Sequence, residues 1–396
     1  MWTRSRSPLE QLRSTSLEKA AQVDSRVRGL THTFYKYPAR FSPDFARAAI
    51  LTQTRPGEIV LDPFMGGGTS AVESLALGRR FVGVDINPIS HFVSTVKTTP
   101  LTMHDASLLG DWAERSYAIP VRRIALVEHN EWLVYHNHVP WWLGRRIQHL
   151  LDTSKSLPTG RLQRFARCTI LKTAQWALDG KPLIVPDHEF CEAHQKTLFE
   201  MIGAAVSLQA LPYFAEGGLR KKRLLLNRPA HGLDTEKKLT TEWKPPKLVL
   251  TSPPYPGVHI LYHRWQVRGR RETGAPFWIT GHEDGHPPTF YTMGTRFPRG
   301  FDAYLNELAG ALHSIVRLMD PDSIMVQLVG FSEPSMQLGP YLATLESVGL
   351  AEVQSELLSH KLKRVWRTVP NRRWYNRSAQ RRLPSKEVLL VHRLKR

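Results

Sequence analysis

The tetrapeptide Ser252-Pro253-Pro254-Tyr255 directly follows the apolar run "KLVLT" and has the residue types to position an amine. An amine attached to an aromatic ring is a poor nucleophile, because its lone pair is delocalised into that ring. The Ser252 side chain and the Pro253 carbonyl are two acceptors for its hydrogens, and two prolines fix φ so that the carbonyl keeps its direction. The Tyr255 ring offers a surface for stacking. The motif therefore predicts a site that holds a planar amine for attack.

A second group of residues, "DPFMGGGT" at 62–69, predicts a turn that binds a nucleoside. The three glycines at 66–68 let backbone amides approach a ligand closely, and Asp85 can accept the two hydroxyls of a ribose. Asp85 follows the last glycine by 17 residues, close to the roughly 20 expected in such units. An acid and a proline precede the glycines, unlike the dinucleotide fingerprint. Asp62 is therefore predicted to meet a cationic group or, as the alternative, to cap the following helix.

The residues around this turn predict one βαβ unit, in which "EIVLDPF" and "RFVGVDIN" are the strands. Thr69 or Ser70 is expected to cap the intervening helix, which Gly78 ends. The second strand is apolar on both faces, as a central parallel strand requires. Further strands are predicted at "RLLLN", "KLVLTSPPY", "IMVQLVGF", "AEVQSELL" and "KEVLLVHRL", with helices at "YLNELAGALHSIV" and "YLATLESVGL". The pattern predicts an α/β fold with a mostly parallel central sheet.

The charge of the chain favours a polyanionic partner. The chain has 54 Lys and Arg against 35 Asp and Glu, a net charge of +19. From Lys361 to Arg396 there are thirteen basic residues and one acid, Glu387, with three tryptophan or tyrosine residues among them. Basic residues mixed with aromatic ones can neutralise phosphates and stack on bases. We therefore predict a basic carboxyl-terminal tail that contacts nucleic acid.

The cysteine content and the hydropathy of the chain indicate its cellular compartment and its possible partners. The two cysteines, Cys168 and Cys191, stand in no paired-spacing motif, which favours a reducing cytosol over a disulfide framework. No apolar run approaches the roughly 18 residues of a membrane span, so no membrane partner is expected. The run "DHEFCEAH" places two histidines and a cysteine three residues apart, but a fourth zinc ligand of suitable spacing is missing. No metal is therefore predicted.

The stretches "DPFMGGGT", "VDINP" and "SPPY" together resemble the cofactor-binding and catalytic motifs of S-adenosylmethionine-dependent DNA amino-methyltransferases. The stretch "HTFYKYPARFSPDF" at 32–45 looks like the upstream motif of the same family, which packs beside the methionine part of the cofactor. The resemblance implies a Rossmann-like class I methyltransferase fold, S-adenosylmethionine as cofactor, and double-stranded DNA as partner, with the target base flipped out of the duplex. The implied catalytic residues are Ser252, Pro253, Pro254 and Tyr255. The implied cofactor-binding residues are Tyr37, Pro38, Phe41, Asp62, Phe64, Gly66, Gly68, Thr69, Asp85 and Asn87.

The motif does not decide between two target amines, N4 of cytosine and N6 of adenine. Serine in the first position of the tetrapeptide is more typical of N4-cytosine methylation in this family, whereas aspartate or asparagine is more typical of N6-adenine, and all three side chains accept a hydrogen bond. An RNA or protein-amide methyltransferase and a DNA-binding protein without chemistry are the remaining alternatives. The contexts "ARCTI" and "EFCEA" argue against a cysteine nucleophile and hence against C5-cytosine methylation.

The extent of the family resemblance along the chain predicts the domain organisation. Residues 31–97 and 223–396 are predicted to form the catalytic domain, and 98–222, with helical spacing, an insertion that serves as lid or DNA-recognition module. Residues 1–30 are expected to be a loose tail. No clear acid follows "RLLLN", so Asn227 is the expected substitute for the adenine contact.

Partners are predicted from the basic side chains. The predicted nucleic-acid contacts are Arg264, Arg268, Arg270, Arg271, Arg364, Arg367, Arg372 and Arg373. Any cognate restriction endonuclease is expected to be a separate protein, since no nuclease motif stands out. The expected location is the prokaryotic cytoplasm, in association with the nucleoid.

Overall fold

A computed structural model describes residues 17–22, 27–37, 42–124, 135, 137–255, 264–269, 271–285, 290–294, 298–353, 364–376 and 381–395. Within these ranges the side chains of 298–299, 369–376 and 381–385 are not described. The main element is an eight-stranded sheet. Its strands are β1 (Ile59–Asp62), β2 (Arg80–Asp85), β3 (Arg223–Asn227), β4 (Leu248–Thr251), β7 (Ile324–Phe331), β8 (Leu350–Glu352), β9 (Trp366–Asn376) and β10 (Arg381–Leu394). Strands β5 (Trp265–Val267) and β6 (Arg271–Thr273) form a separate antiparallel pair.

The sheet has the order β3-β2-β1-β4-β7-β10-β8, and β9 pairs with β10. Strands β3, β2, β1, β4 and β7 are parallel neighbours, whereas β10 runs antiparallel to β7, β8 and β9. The order reverses between β1 and β4. In open parallel sheets this switch point leaves a crevice outside the carboxyl ends of the strands, where ligands bind. The predicted α/β class with a mostly parallel sheet is confirmed.

Helices cover both faces of the sheet. The helices are α1 (17–22), α2 (Pro43–Gln53), α3 (Thr69–Ala76), α4 (Pro88–Lys97), α5 (Met103–Tyr117), α6 (Trp141–Ser154), α7 (Gly160–Leu178), α8 (Asp187–Gln209), α9 (Pro212–Ala215), α10 (Leu219–Lys222), α11 (Lys237–Glu242), α12 (Ala275–Thr280), α13 (Pro298–Val316) and α14 (Pro334–Ser347). Short 3-10 helices occupy His32–Phe34, Val121–Arg123 and Leu233–Thr235.

The strands are apolar on both sides because each face has its own core. Val60 of β1 packs in one cluster with residues of α2 and α3, and the next residue, Leu61, packs in another with residues of α13 and α14. Successive side chains of a strand point to opposite faces, so this split follows from the strand period. The parallel strands are therefore fixed in register by burial on both faces.

The segment 98–222 is mainly helical, as its spacing predicts. Helices α5 to α8 share a third buried cluster with α4, α12 and β5. Among the described residues, no helix is both long and apolar enough to cross a bilayer. The role of 98–222 as a lid or recognition module stays a prediction.

One prediction about the chain ends is wrong and another is incomplete, because β10 contains the predicted strand "KEVLLVHRL" whereas β9 was not predicted. Residues 17–22 lie within the predicted loose tail, yet they form a helix, and Leu17 and Ala21 are buried in the α2–α3 cluster. The two side chains are four residues apart and share one helical face, which is why the segment packs. The predicted basic tail contains two paired strands, since β9 and β10 form a long antiparallel hairpin within the sheet.

Candidate active site

The glycine turn connects β1 to α3 and is held by Asp85 at the end of β2. The amide of Gly66 donates to Asp85 Oδ2 at 2.8 Å, and the amide of Asn87 donates to Oδ1 at 2.8 Å. Gly66 has φ of 48°, a left-handed conformation that favours glycine. Burial raises the pKa of Asp85, while the two amide hydrogen bonds act in the opposite direction. The sequence therefore folds this loop around the carboxylate that was predicted to accept the ribose hydroxyls.

The outer side of the turn is packed so closely that side chains would not fit. A Cβ on Gly67 would lie 2.7 Å from Tyr37 Cβ, and one on Gly68 would lie 2.5 Å from Ser94 Oγ. The buried Lys97 of α4 donates from Nζ to the Gly67 carbonyl at 2.7 Å. Tyr37 and α4 thus fix the turn from outside, and Gly66 is the glycine of the turn that lines the cavity.

The start of α3 differs from the prediction. Gly68, in the left-handed region, occupies the N-cap position, and no side chain caps the helix. Thr69 is its first residue, and its buried hydroxyl has no hydrogen-bond partner within the described part of the chain. Ser70 donates instead to Asp62 Oδ2 at 2.5 Å. Neither Thr69 nor Ser70 is a cap, because the glycine backbone already turns into the helix.

Asp62 is buried and connects several elements of the chain through its hydrogen bonds. Besides Ser70, it accepts hydrogen bonds from Thr251 Oγ1 at 3.0 Å and from the Phe64 amide at 3.2 Å. Burial raises the pKa of its carboxyl to about 7. The predicted encounter with a cationic group is not what the structure shows, because its oxygens face protein donors and the cavity is lined by Pro63 and Phe64 instead. The contact with Ser70 ties Asp62 to the first turn of α3.

The tetrapeptide begins where β4 ends. Ser252 Oγ donates its hydrogen to the Leu328 carbonyl of β7 at 2.8 Å and lies 3.1 Å from Tyr255 Oη. Tyr255 Oη donates to Glu387 Oε1 of β10 at 2.5 Å. A hydroxyl has one hydrogen and two lone pairs, so the oxygen of Ser252 remains available as an acceptor.

One cavity of about 280 Å³ joins the two motifs at the switch point. Of the predicted residues, nine line it: Tyr37, Phe64, Gly66, Asp85, Asn87, Ser252, Pro253, Pro254 and Tyr255. Asp62, Gly68 and Thr69 lie behind the lining, and Pro38 and Phe41 fall outside the described residues. The residues that the sequence did not indicate are Pro63, Ile86, Pro229, Ala230, His231, Phe290, Tyr291, Thr292, Met293, Glu307 and Ala311.

Some of the cavity-lining residues that were not predicted did have a signal in the sequence. Pro229, Ala230 and His231 follow β3, so the rule that ligands bind beyond the carboxyl ends of parallel strands would have found them. Asn227, expected to contact an adenine, instead donates from Nδ2 to the carbonyls of Asp85 and Ile86 at 2.9 and 3.0 Å. Phe290–Met293 lies in a stretch without periodicity and gave no such signal.

Three of the predicted nucleic-acid contacts are ion-paired within the chain. Arg264 pairs with Asp284 at 2.7 Å, Arg364 with Glu352 at 2.7 Å, and Arg367 with Glu387. These arginines face carboxylates of their own chain and do not form an open basic tail. Exposed positions are Arg268 and Arg271, next to the turn between β5 and β6. Arg270 lies outside the described residues, as do the side chains of Arg372 and Arg373 in β9.

Of the histidine and cysteine run of α8, His194 belongs to the core, whereas His188 is exposed and Cys191 is partly buried. His194 is fully buried, stacks on Phe190 with ring centroids 6.3 Å apart and bonds Thr169 Oγ1 at 2.9 Å. Burial lowers the pKa of its imidazole to about 3. Within the described residues no three His, Cys, Asp or Glu side chains are placed to hold a metal.

The sheet order and the cavity indicate a ligand-binding site of the Rossmann-like kind. A carboxylate-held glycine turn and the Ser252–Tyr255 motif meet at the switch point of the sheet, where the resemblance places S-adenosylmethionine. The residues fit this cofactor, because the Asp85 carboxylate, the close-packed glycine turn and the apolar walls form one cavity.

Comparisons with known proteins show which family one part of the chain is similar to. Residues 4–93 match the N6/N4 family model described as DNA methylase. The chain is 46% identical over 82 residues to the type II methyltransferase M.MvaI of Kocuria varians, covering 20% of this chain and 18% of that protein. It is 39% identical over 62 residues to the DNA adenine methyltransferase YhdJ of Escherichia coli, covering 16% and 21%. The chain thus spans about a fifth of the length of the curated relatives it matches.

Solved structures give a distant likeness. The TrmN structure from Thermus thermophilus matches with a TM-score of 0.32 at 12% identity, covering 89% of this chain and 48% of that one. The rRNA methyltransferase aviRa from Streptomyces viridochromogenes matches with a TM-score of 0.31 at 12% identity, covering 91% and 89%. Over residues 4–93, the chain is thus similar to DNA methylases of the N6/N4 family.

Proposed function

We propose that the protein transfers a methyl group from S-adenosylmethionine to the N4 amine of cytosine in double-stranded DNA. The observation that carries this proposal is the shared cavity, in which Asp85 and Gly66 lie on one side and the Ser252–Tyr255 motif on the other. A cofactor site and an amine site that open into one another are what a direct transfer between two bound reactants requires.

The cofactor would be held by the first part of this cavity. Asp85 would accept the ribose hydroxyls, and Tyr37 and Asn87 line the same wall. When bound, the sulfonium group of the cofactor supplies an activated methyl group. Because the donor is already reactive, the contribution of the chain is to bring the amine in line and to exclude water.

The amine would be held by the second part. The hydrogen of Ser252 is used by the Leu328 carbonyl, so its oxygen can accept from the substrate amine, and the Pro253 carbonyl offers a second acceptor. Two acceptors draw the nitrogen toward tetrahedral geometry and raise the electron density available for attack. Tyr255 would stack on a base that has left the duplex, since a paired base cannot reach the methyl group.

Cytosine is proposed because the motif begins with Ser252, the residue more typical of N4-cytosine methylation in the family that the chain resembles. Adenine N6 is the second candidate, because one relative is named a DNA adenine methyltransferase. A methyltransferase of this kind can act beside a separate restriction endonuclease, as the name of the type II relative suggests.

DNA would be bound by exposed positive charge, supported by the net charge of +19. Arg268 and Arg271 are exposed, whereas Arg364 is ion-paired with Glu352. Each phosphate contact steepens the fall of log K with log salt by about 0.9. We expect Arg271→Gln to flatten this slope by about one contact and Arg364→Gln to leave it unchanged. Equal slopes for Arg271→Gln and the unaltered protein would contradict the role of this loop.

The product identifies the reaction. The protein is incubated with S-adenosylmethionine and genomic DNA from a strain without DNA methylation, and the nucleosides are separated by mass spectrometry. N4-methylcytosine supports the proposal, N6-methyladenine moves the target to the second candidate, and 5-methylcytosine overturns the mechanism. The Asp85→Ala protein, prepared in the same way, controls for contaminating methyltransferases, and total RNA in place of DNA tests the other nucleic acid.

A further inference from the structure

We propose that Glu387 is a positioning residue for the reaction, which takes the hydrogen of the Tyr255 hydroxyl and so keeps Tyr255 from donating to Ser252. The inference rests on the proposed function and adds a residue from the last strand of the sheet. Glu387 lies on β10, 132 residues after Tyr255, and only 3% of its surface is exposed. Its Oε1 receives the Tyr255 hydrogen at 2.5 Å.

Arg367 of β9 fixes the carboxylate from the other side. Its Nε donates to Glu387 Oε2 at 2.6 Å, its Nη2 lies 2.5 Å from the same oxygen, and its Nη1 donates to the Ala21 carbonyl of α1 at 3.4 Å. A guanidinium that pairs with one carboxylate oxygen leaves the second oxygen to accept from Tyr255. The result is a continuous chain of hydrogen bonds from α1 to the catalytic motif.

The direction of these bonds decides what Ser252 can do. Because the carboxylate of Glu387 is paired with Arg367 and accepts from Tyr255, the hydrogen of Tyr255 points to it and the lone pairs of Tyr255 face Ser252. Tyr255 then cannot donate to the oxygen of Ser252, 3.1 Å away. That oxygen stays available for the substrate amine. If Tyr255 were free to turn, it would compete with the amine for the same acceptor.

Glutamine at position 387 would reverse this direction while keeping the volume. The guanidinium of Arg367 requires an acceptor, so the amide oxygen of E387Q would turn to Arg367 and its NH2 group to Tyr255. Tyr255 would then accept from the amide, and its own hydrogen would be free to bond Ser252. E387Q should therefore block the amine acceptor, and removing the tyrosine hydroxyl should cancel that block.

The neighbouring pair of Arg364 and Glu352 provides a matched control. Arg364 Nε and Nη2 donate to the two oxygens of Glu352 at 2.8 and 2.7 Å. Glu352 belongs to β8, which pairs with β10, so this ion pair stabilises the same end of the sheet. These two hydrogen bonds join β8 to the residues just before β9 and involve no residue of the catalytic motif. E352Q thus tests the loss of a paired carboxylate that does not set the direction of the Tyr255 hydroxyl.

The experiment compares E387Q, Y255F, E387Q/Y255F and E352Q by single-turnover transfer of tritiated methyl groups to unmethylated genomic DNA. We expect E387Q to be about 10-fold slower, as for a lost hydrogen bond to a charged group, and Y255F to be about 3-fold slower because its ring remains. The double variant should be no slower than Y255F, a recovery that independent structural damage cannot give. E352Q should stay within about 2-fold, and calorimetry should show unchanged cofactor affinity in all four.

Each outcome is decisive. A double variant about 30-fold slower, the product of the two single effects, or an E387Q protein as fast as the unaltered one, overturns the inference. If E387Q does not fold, E387D replaces it, since the shorter carboxylate withdraws from Tyr255 while Arg367 can follow, and rescue by Y255F is again required. An unaltered protein that methylates no DNA contradicts the proposed function instead.

Discussion

The glycine turn and the catalytic tetrapeptide face the same cavity, but they are held by partners at very different distances along the chain. Asp85 lies 19 residues from Gly66, and Lys97 lies 30 residues from Gly67. Ser252 is bonded to Leu328, 76 residues away, and Tyr255 to Glu387, 132 residues away. The cofactor side is therefore local in sequence, while the amine side exists only when distant strands are paired.

This difference in sequence distance explains why the family model includes the cofactor side and does not reach the amine side. The family model covers residues 4–93, which includes the whole glycine turn with Asp85, and ends well before the tetrapeptide. A compact motif with its own supports can be kept as a unit in many chains. The supports of Ser252 and Tyr255 belong to β7 and β10, whose pairing depends on the whole sheet.

The largest effect should come from breaking the cofactor side. Asp85→Ala removes the predicted ribose acceptors and the partner of two backbone amides, so cofactor affinity should fall by about 1.5–3 kcal/mol, as for hydrogen bonds to a charged group. Isothermal titration with S-adenosylmethionine measures this loss. Asp85→Asn keeps one acceptor oxygen, so its cofactor affinity should lie between those of the unaltered protein and Asp85→Ala. An unchanged affinity in Asp85→Ala would show that the carboxylate is not part of the cofactor site.

A smaller and opposite result is expected on the amine side. Tyr255→Ala removes the stacking surface, worth roughly 1–3 kcal/mol per base, so the transfer rate should fall while cofactor affinity stays nearly the same. The change is measured as the single-turnover rate together with the calorimetric affinity of the same protein. If Tyr255→Ala weakened cofactor binding as much as Asp85→Ala does, the two sides would not be separate.

The effect furthest from the reaction itself is one on stability, and it concerns Asp62, which links both sides through Ser70 and Thr251. Burial raises its pKa in the folded protein to about 7 from the ordinary 3.8. Between these values the folded state holds a proton that the unfolded state lacks, so the free energy of unfolding falls as the pH rises from about 4 to 7. Asp62→Asn does not titrate, and its stability relative to the unaltered protein should rise across this window by up to roughly 1.4 kcal/mol per pH unit.

Urea denaturation at several pH values checks this expectation. The variant and the unaltered protein should diverge between pH 4 and 7 and run parallel above pH 8. Curves that stay parallel throughout would show that Asp62 keeps its ordinary pKa and that its burial is offset by its hydrogen bonds.

The sequence predicted the parts whose signals are local. The βαβ unit, the glycine turn, Asp85 and the tetrapeptide follow from apolar runs interrupted by glycine and proline, and the structure has them in those places. Glu387 was visible only as the single acid among thirteen bases, within the apolar run "EVLLV". Its partner Tyr255 is so distant that no local pattern connects them.

Strand β9 was missed for a different reason. Its sequence, "WRTVPNRRWYN", contains Pro370 and a cluster of arginines, both of which argue against a central strand. β9 pairs only with β10 and so forms part of an edge, where a proline is tolerated and charge protects against unwanted pairing. The composition that suggested a nucleic-acid-binding tail also suits an edge strand.

The position of β10 has a consequence for how the protein is made. β10 inserts between β7 and β8, yet about sixty residues of chain must be synthesised after β7 before it is complete. At about 5–20 residues per second the ribosome needs roughly 3–12 s for this stretch. During that time the eight residues of β7, all buried in the folded protein, present an apolar edge with unpaired backbone groups. The nascent chain can already form its cofactor half, but it acquires an oriented Tyr255 only when β10 has been translated and has closed the sheet.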